Sequence, residues 1–218
     1  MFIFQRQLYL FDQKSFINPK YVYEIRPGLS LNIFGTGSDT DCIIFLGNVI
    51  DYNMTKQLSL IIQNYIQFNV ISYNMGEYSE KQIKNELYEI GTYLNTRKKK
   101  SFGVGISFGC SSLIYLSTML NFEKIVLINP FYSLRRIADE RMLGILLVDT
   151  FDNTIIKQVD CYITLLYSEY DEVISNNHSK DLSRLNKNIN LICVPEADHN
   201  SILHGEVSIY ENLIRYLK

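Results

Sequence analysis

Apolar and polar positions follow two different rhythms along this chain. Near the start, two short aromatic-rich runs, residues 21–25 and 29–34, flank Pro27-Gly28. That turn dipeptide between extended candidates predicts an antiparallel hairpin. Beyond residue 40 the pattern changes to short apolar runs at 42–46, 68–73, 102–106, 124–128, 161–167 and 189–194. Helix-period stretches separate them, at about 54–67, 79–96, 108–120, 133–147, 175–185 and 201–217. Within the runs, Ile, Val, Leu and Phe occupy both parities, so both faces of each strand are to be buried. The expectation is therefore a mostly parallel sheet covered by helices on either side, with the hairpin at one edge.

No repeat, low-complexity tract or Pro/Gly-rich linker interrupts this alternation, and 218 residues suffice for one well-buried core. A single domain spanning 1–218 is expected. In open α/β sheets, ligands bind outside the carboxyl ends of the strands, so functional residues should sit just after strands.

Composition narrows the choices. The chain is 47% hydrophobic and 20% charged with a formal net charge of -2, which offers no basic surface for nucleic acid. One cationic run, Arg97-Lys98-Lys99-Lys100, falls at a predicted helix end, where it suits the helix dipole and solvent. The four cysteines lack C-x-x-C or zinc-like spacing, and three fall in strand candidates, a pattern that suits a reducing compartment. The N-terminal Met1-Phe2-Ile3-Phe4 is cut at once by Gln5, Arg6 and Gln7, and no stretch reaches transmembrane length. These features point to a cytoplasmic protein without a metal or cofactor.

Candidate chemistry appears after the third strand of the alternating series. Gly105-Ile106-Ser107-Phe108-Gly109 matches G-x-S-x-G, with an apolar strand before it and an apolar helix after it. A sharp strand-to-helix turn would present the Ser107 hydroxyl at the sheet's carboxyl edge, while Gly105 and Gly109 remove side chains that would collide. The amide of Phe108 would then face a developing oxyanion. The same glycines approach a dinucleotide fingerprint through Gly103-Val104-Gly105, but its last glycine position holds Phe108.

An activated serine needs an imidazole and an orienting carboxylate. Of the three histidines, His199 follows a strand in Pro195-Glu196-Ala197-Asp198-His199-Asn200, whereas His204 falls in a predicted helix and His178 at a polar helix start. For the acid, Glu169, Asp171 and Glu172 compete in the loop after residues 161–167, and Asp171 fits best, past the turn and before Val173-Ile174. The order Ser107, Asp171, His199 is the one used by G-x-S-x-G hydrolases. A second oxyanion donor is expected after residues 42–46, in Leu46-Gly47-Asn48-Val49, with the Asn48 amide as the group.

Together these segments resemble the α/β-hydrolase superfamily, and most closely its branch of bud-emergence-type hydrolases and protein depalmitoylases. Phe45-Leu46-Gly47-Asn48 is similar to that branch's His-Gly-Asn turn, with leucine for histidine, and Cys110 replaces the last glycine of G-x-S-x-G-G. Asn129-Pro130-Phe131-Tyr132-Ser133 resembles its N-P-F-x-S loop. Ser168-Glu169-Tyr170-Asp171-Glu172-Val173 resembles its G-E-x-D-x-V loop, and Ala197-Asp198-His199-Asn200 its G-x-H-N loop. The resemblance covers about 30–218 and implies a three-layer α/β-hydrolase fold with Ser107 as nucleophile, Asp171 as acid and His199 as base. It also implies a short lid at about 133–157, whose apolar run Met142-Leu143-Gly144-Ile145-Leu146-Leu147-Val148 would line an acyl pocket or simply pack in the core. The expected activity is hydrolysis of a small-molecule or acylated substrate at an ester or thioester. A non-catalytic binding module of the same fold and an acyltransferase remain the alternatives.

Overall fold

A computed structural model describes residues 21–35, 37–47, 58–59, 62, 68–73, 79–141, 149–202 and 210–217. Eight strands form one sheet in the order β1-β2-β4-β3-β5-β6-β7-β8. They are β1 (Tyr21–Arg26), β2 (Leu29–Phe34), β3 (Thr40–Phe45), β4 (Asn69–Tyr73), β5 (Lys100–Ile106), β6 (Lys124–Ile128), β7 (Tyr162–Ser168) and β8 (Ile189–Val194). β1 and β2 pair antiparallel across Pro27-Gly28, β2 pairs antiparallel with β4, and all other pairings are parallel. The mostly parallel sheet with an antiparallel N-terminal hairpin is thus as the hydrophobic pattern predicts.

Burial on both parities is visible strand by strand. Ile43, Phe45, Ile125, Leu127, Ile163 and Leu165 join one core, while Cys42, Ile44, Val104, Val126, Ile128 and Leu166 join a second core on the opposite face. The first face is covered by α1 (Glu80–Arg97), α2 (Gly109–Ser117), the short 3-10 helix Asn153–Gln158 and α4 (Asn176–Ser183). The second face carries Leu58, Ile62 and α5 (Tyr210–Leu217). A shorter helix, α3 (Leu134–Glu140), follows β6. No helix among the described residues is long and apolar enough to cross a membrane.

Two features differ from the expectation. The last helix is expected from residue 201, but residues 199–202 form a turn, because Asp198 Oδ1 accepts the amide hydrogens of Asn200 and Ser201 at 2.9 and 2.7 Å. This local side-chain turn competes with helix nucleation. In the cationic run, Arg97 does not face solvent. It forks onto Asp41 at the start of β3, with Nε 2.5 Å from Oδ2 and Nη2 2.9 Å from Oδ1, and Asn69 Nδ2 also donates to Oδ1 at 2.8 Å. Lys98 and Lys100 stay exposed.

The strand order also locates a crevice. From β3 the chain moves outward to β4, and from β5 it moves the other way to β6. Connections therefore diverge at the carboxyl ends of β3 and β5, which is the switch point where open α/β sheets bind ligands.

Because Asp41 is only 2% exposed, Arg97→Ala leaves a buried carboxylate without its fork and is expected to cost about 3–5 kcal/mol. Arg97→Lys restores charge but not bidentate geometry and should recover only part of the loss. Urea midpoints of the three proteins check this.

Candidate active site

At the carboxyl end of β5 the chain reverses through Ser107, whose φ of +51° lies in the left-handed region. Such a conformation is costly for a residue with a side chain and persists only where the surroundings hold it. Here the holding is explicit. The Ser107 amide donates to the Ile128 carbonyl at the end of β6 at 2.8 Å, and the Cys110 amide closes the turn onto the Ser107 carbonyl at 3.0 Å. The two motif glycines are steric necessities. A Cβ on Gly105 would stand 2.9 Å from Cys110 Cα, and one on Gly109 would stand 2.3 Å from the Phe45 carbonyl oxygen and 2.7 Å from that of Leu46. The elbow is thereby pressed against the end of β3, across the switch-point crevice.

Ser107, His199 and Asp171, separated by 64 and 28 positions in chain order from serine to acid to base, meet at this edge. Ser107 Oγ lies 3.2 Å from His199 Nε2, and His199 Nδ1 lies 2.7 Å from Asp171 Oδ2. The other carboxylate oxygen, Oδ1, accepts the amide hydrogens of Val173 and Ile174 at 2.9 and 2.7 Å. The carboxylate is thus clamped by its own loop, with its side chain 3% exposed against 13% for the imidazole. With its proton on Nδ1 facing Asp171, His199 presents the bare lone pair of Nε2 to the serine hydroxyl.

The loops that carry Asp171 and His199 are laced to each other. Glu169 donates its amide to the Val194 carbonyl at 3.1 Å, Tyr170 donates to Ala197 at 2.8 Å, and Glu169 Oε2 accepts the Glu196 amide at 3.0 Å. Of the three carboxylates competing in sequence, Glu169 is engaged with the Glu196 amide, Glu172 is exposed and Asp171 meets the imidazole.

Phe108 is the N-cap of α2, so its amide precedes the first intrahelical bonds, as an oxyanion donor would. The Asn48 candidate lies outside the described residues, which reach Gly47 on this loop. His204 and the apolar run 142–148 also lie outside them. His178 is fully buried away from this relay. Its Nδ1 accepts the Tyr132 amide at 2.9 Å, so its proton sits on Nε2 and is donated to Glu140 of α3, at 2.9 Å.

The segment at 133–157 leaves and rejoins the fold through a closed stem. The Leu134 amide donates to the Thr150 carbonyl, and the Asn153 amide to that of Tyr132, at 2.8 and 2.9 Å. Asn153 Nδ2 reaches the Phe131 carbonyl at 2.7 Å and Ser111 Oγ at 3.0 Å. Glu80 Oε2 accepts the amides of Thr150 and Phe151 at 2.8 and 3.0 Å. This stem sets Phe131 and Phe151 around Phe108, with ring centroids 6.1 and 4.7 Å from it, and makes an aromatic cluster in the core on that face of the sheet. Glu80 reads in the sequence as an ordinary polar residue at a helix start, and Asn153 as a polar residue of the expected lid, so neither stands out there. The Cys110 thiol donates to the Ile128 carbonyl at 3.4 Å, and burial pushes it well above the ordinary thiol range, so it stays protonated.

Searches with the sequence find no matching family profile and no significantly similar curated protein. Solved structures of the same fold do match. A meta-cleavage product hydrolase from Pseudomonas fluorescens superposes with a TM-score of 0.67 at 13% identity, covering 88% of this chain and 95% of that one. The esterase domain of a Rhodothermus marinus protein gives 0.68 at 10% identity, covering 91% and 98%. A thermophilic esterase from Thermogutta terrifontis gives 0.62 at 12% identity, covering 87% and 93%. The chain has the α/β-hydrolase fold.

Two substitutions check the scaffold. In Gly109→Ala the new methyl would meet backbone that cannot yield, so a loss of at least about 1–3 kcal/mol is expected in a urea melt. Glu80 is pushed up by burial, but hydrogen bonds from Lys84 and from the Phe151 and Thr150 amides outweigh this and leave it below the usual carboxylate range. Its contribution is therefore present above the unfolded value of about 4.3 and is lost as pH falls through the lower folded value. The stability gap between wild type and Glu80→Gln should accordingly be largest near neutral pH and narrow in acid, as urea midpoints across that range would register.

Proposed function

We propose that this chain is a serine hydrolase that cleaves a carboxylic ester or acyl thioester through an acyl-enzyme. The observation that carries the reading is the unbroken relay from Ser107 Oγ through His199 to Asp171, at 3.2 and 2.7 Å, seated on a left-handed serine at the switch point. In the first half-reaction Ser107 Oγ attacks the acyl carbonyl as its proton passes to His199 Nε2. The imidazolium formed is stabilised by Asp171 and returns the proton to the departing alcohol or thiol. Water then enters, gives a proton to the same nitrogen and releases the acid, while Ser107 recovers its hydrogen. The amides of Phe108 and Asn48 would share the oxyanion charge, each donor of this kind being worth about 2.7–4 kcal/mol.

An apolar acyl group fits best. The sequence between the two stem halves is apolar at 142–148, the composition an acyl-binding segment needs. That two of the structures of like fold are esterases supports the ester reading.

The test is direct. Purified protein should hydrolyse para-nitrophenyl acyl esters or acyl thioesters and be labelled by a fluorophosphonate. In Ser107→Ala labelling should vanish and turnover should fall by at least about four orders of magnitude. A folded wild type that neither labels nor turns over any chain length would overturn the assignment.

A further inference from the structure

Asn129 follows β6, the strand between those that deliver Ser107 and Asp171. It is 2% exposed, and its φ of +48° lies in the left-handed region. Its amide donates to the Leu166 carbonyl of β7 at 2.8 Å, while the preceding carbonyl, that of Ile128, receives the Ser107 amide. The side chain reaches the other two loops. Oδ1 accepts the Ser168 amide at 2.9 Å, at the last residue of β7 before the acid loop. Nδ2 donates to the main-chain carbonyl of His199 at 3.3 Å and to Ser168 Oγ at 3.0 Å. Two consecutive residues thus tie together the three loops that carry the relay.

The chemistry of this position excludes the alternatives. Glycine, asparagine and aspartate tolerate a left-handed backbone best. Glycine offers no side-chain bond, and aspartate would set a carboxylate oxygen against the His199 carbonyl. Only the carboxamide both accepts from the Ser168 amide and donates to His199, and those two fixed partners define which way it points. If it were removed, the buried Ser168 amide and the part-buried His199 carbonyl would lose their partner.

We propose that Asn129 is the positioning residue that holds the base loop and the acid loop in register behind Ser107. It touches neither substrate nor reacting atoms. The proposal rests on the serine-hydrolase reading for its effect on turnover, but not for its effect on geometry.

The experiment compares wild type, Asn129→Gly, which keeps the backbone conformation and deletes the carboxamide, and Asn129→Asp, which keeps the acceptor and deletes the donor. Circular dichroism establishes that each is folded. One readout is the downfield proton resonance of the His199 Nδ1–H held by Asp171, identified by its absence from His199→Ala. The other is the split between kcat and KM on a para-nitrophenyl ester. The resonance should broaden or vanish in both variants, with kcat down about 10- to 100-fold and KM within about twofold. A resonance as sharp and as far downfield in the folded variants as in the wild type overturns the proposal, as does its absence from the wild type. If the wild type turns over no ester and takes no fluorophosphonate, the hydrolase reading fails, and the resonance still decides the role of Asn129.

Discussion

The turn at Ser107 imposes the constraint on which the rest of the site depends. A parallel strand that must become a helix within two residues has to reverse direction at the sheet edge, and the only backbone that does so here puts a serine at positive φ. That conformation survives because neighbours leave no other. Ile128 takes the serine amide, and Gly109 lets α2 start in contact with the carbonyls of Phe45 and Leu46. Everything chemically useful is then a consequence of direction. The hydroxyl stands outside the sheet, and the helix N-terminus opens at its side. The divergence of β3 and β5 supplies the space between them.

A strained serine alone does nothing; the groups that meet it must arrive from segments far away in the chain. The loops that carry Asp171 and His199 follow neighbouring parallel strands, β7 and β8, and each is stiffened first by itself. Asp171 accepts from Val173 and Ile174, and Asp198 accepts from Asn200 and Ser201. Cross-bonds through Glu169, Tyr170 and Glu196 then make one unit of the two loops. Positive φ values recur along this edge at Ser107, Asn129 and Glu196, after β5, β6 and β8. Strain concentrated at loop starts beside a candidate site is affordable because the sheet beneath is packed on both faces.

The opposite edge of the sheet is built on another principle. There the Asp41–Arg97 fork and the Asn69 amide fasten β3, β4 and the end of α1, beside the left-handed Lys98 that caps the helix. Buried charge at that edge fixes how the helix docks, and it lies at the amino ends of the parallel strands, away from the serine. Glu80 performs a related task at the start of the same helix, where its carboxylate grips the far half of the 133–157 stem. One helix therefore connects the structural edge to the segment that borders the aromatic cluster.

The alternation of short two-sided apolar runs with helical stretches was enough to specify a parallel sheet between two helical layers, because burial on both parities has no other economical solution. The Pro27-Gly28 turn marked the hairpin for an equally local reason. Ser107, Asp171 and His199 could be named as candidates because each residue type follows a strand, and strand ends of one parallel sheet converge on one edge. Other features left no local signature. Asn129 reads as a loop asparagine until its carboxamide is seen to bridge Ser168 and His199, residues 39 and 70 positions away. Arg97 reads as one of four surface cations until Asp41, 56 positions earlier, takes it inward. The buried role of His178 depends on Tyr132 and Glu140 in the same way. Periodicity reports how a segment meets apolar surroundings in general. Which polar group answers which across the fold is decided only when distant segments are brought within hydrogen-bonding distance.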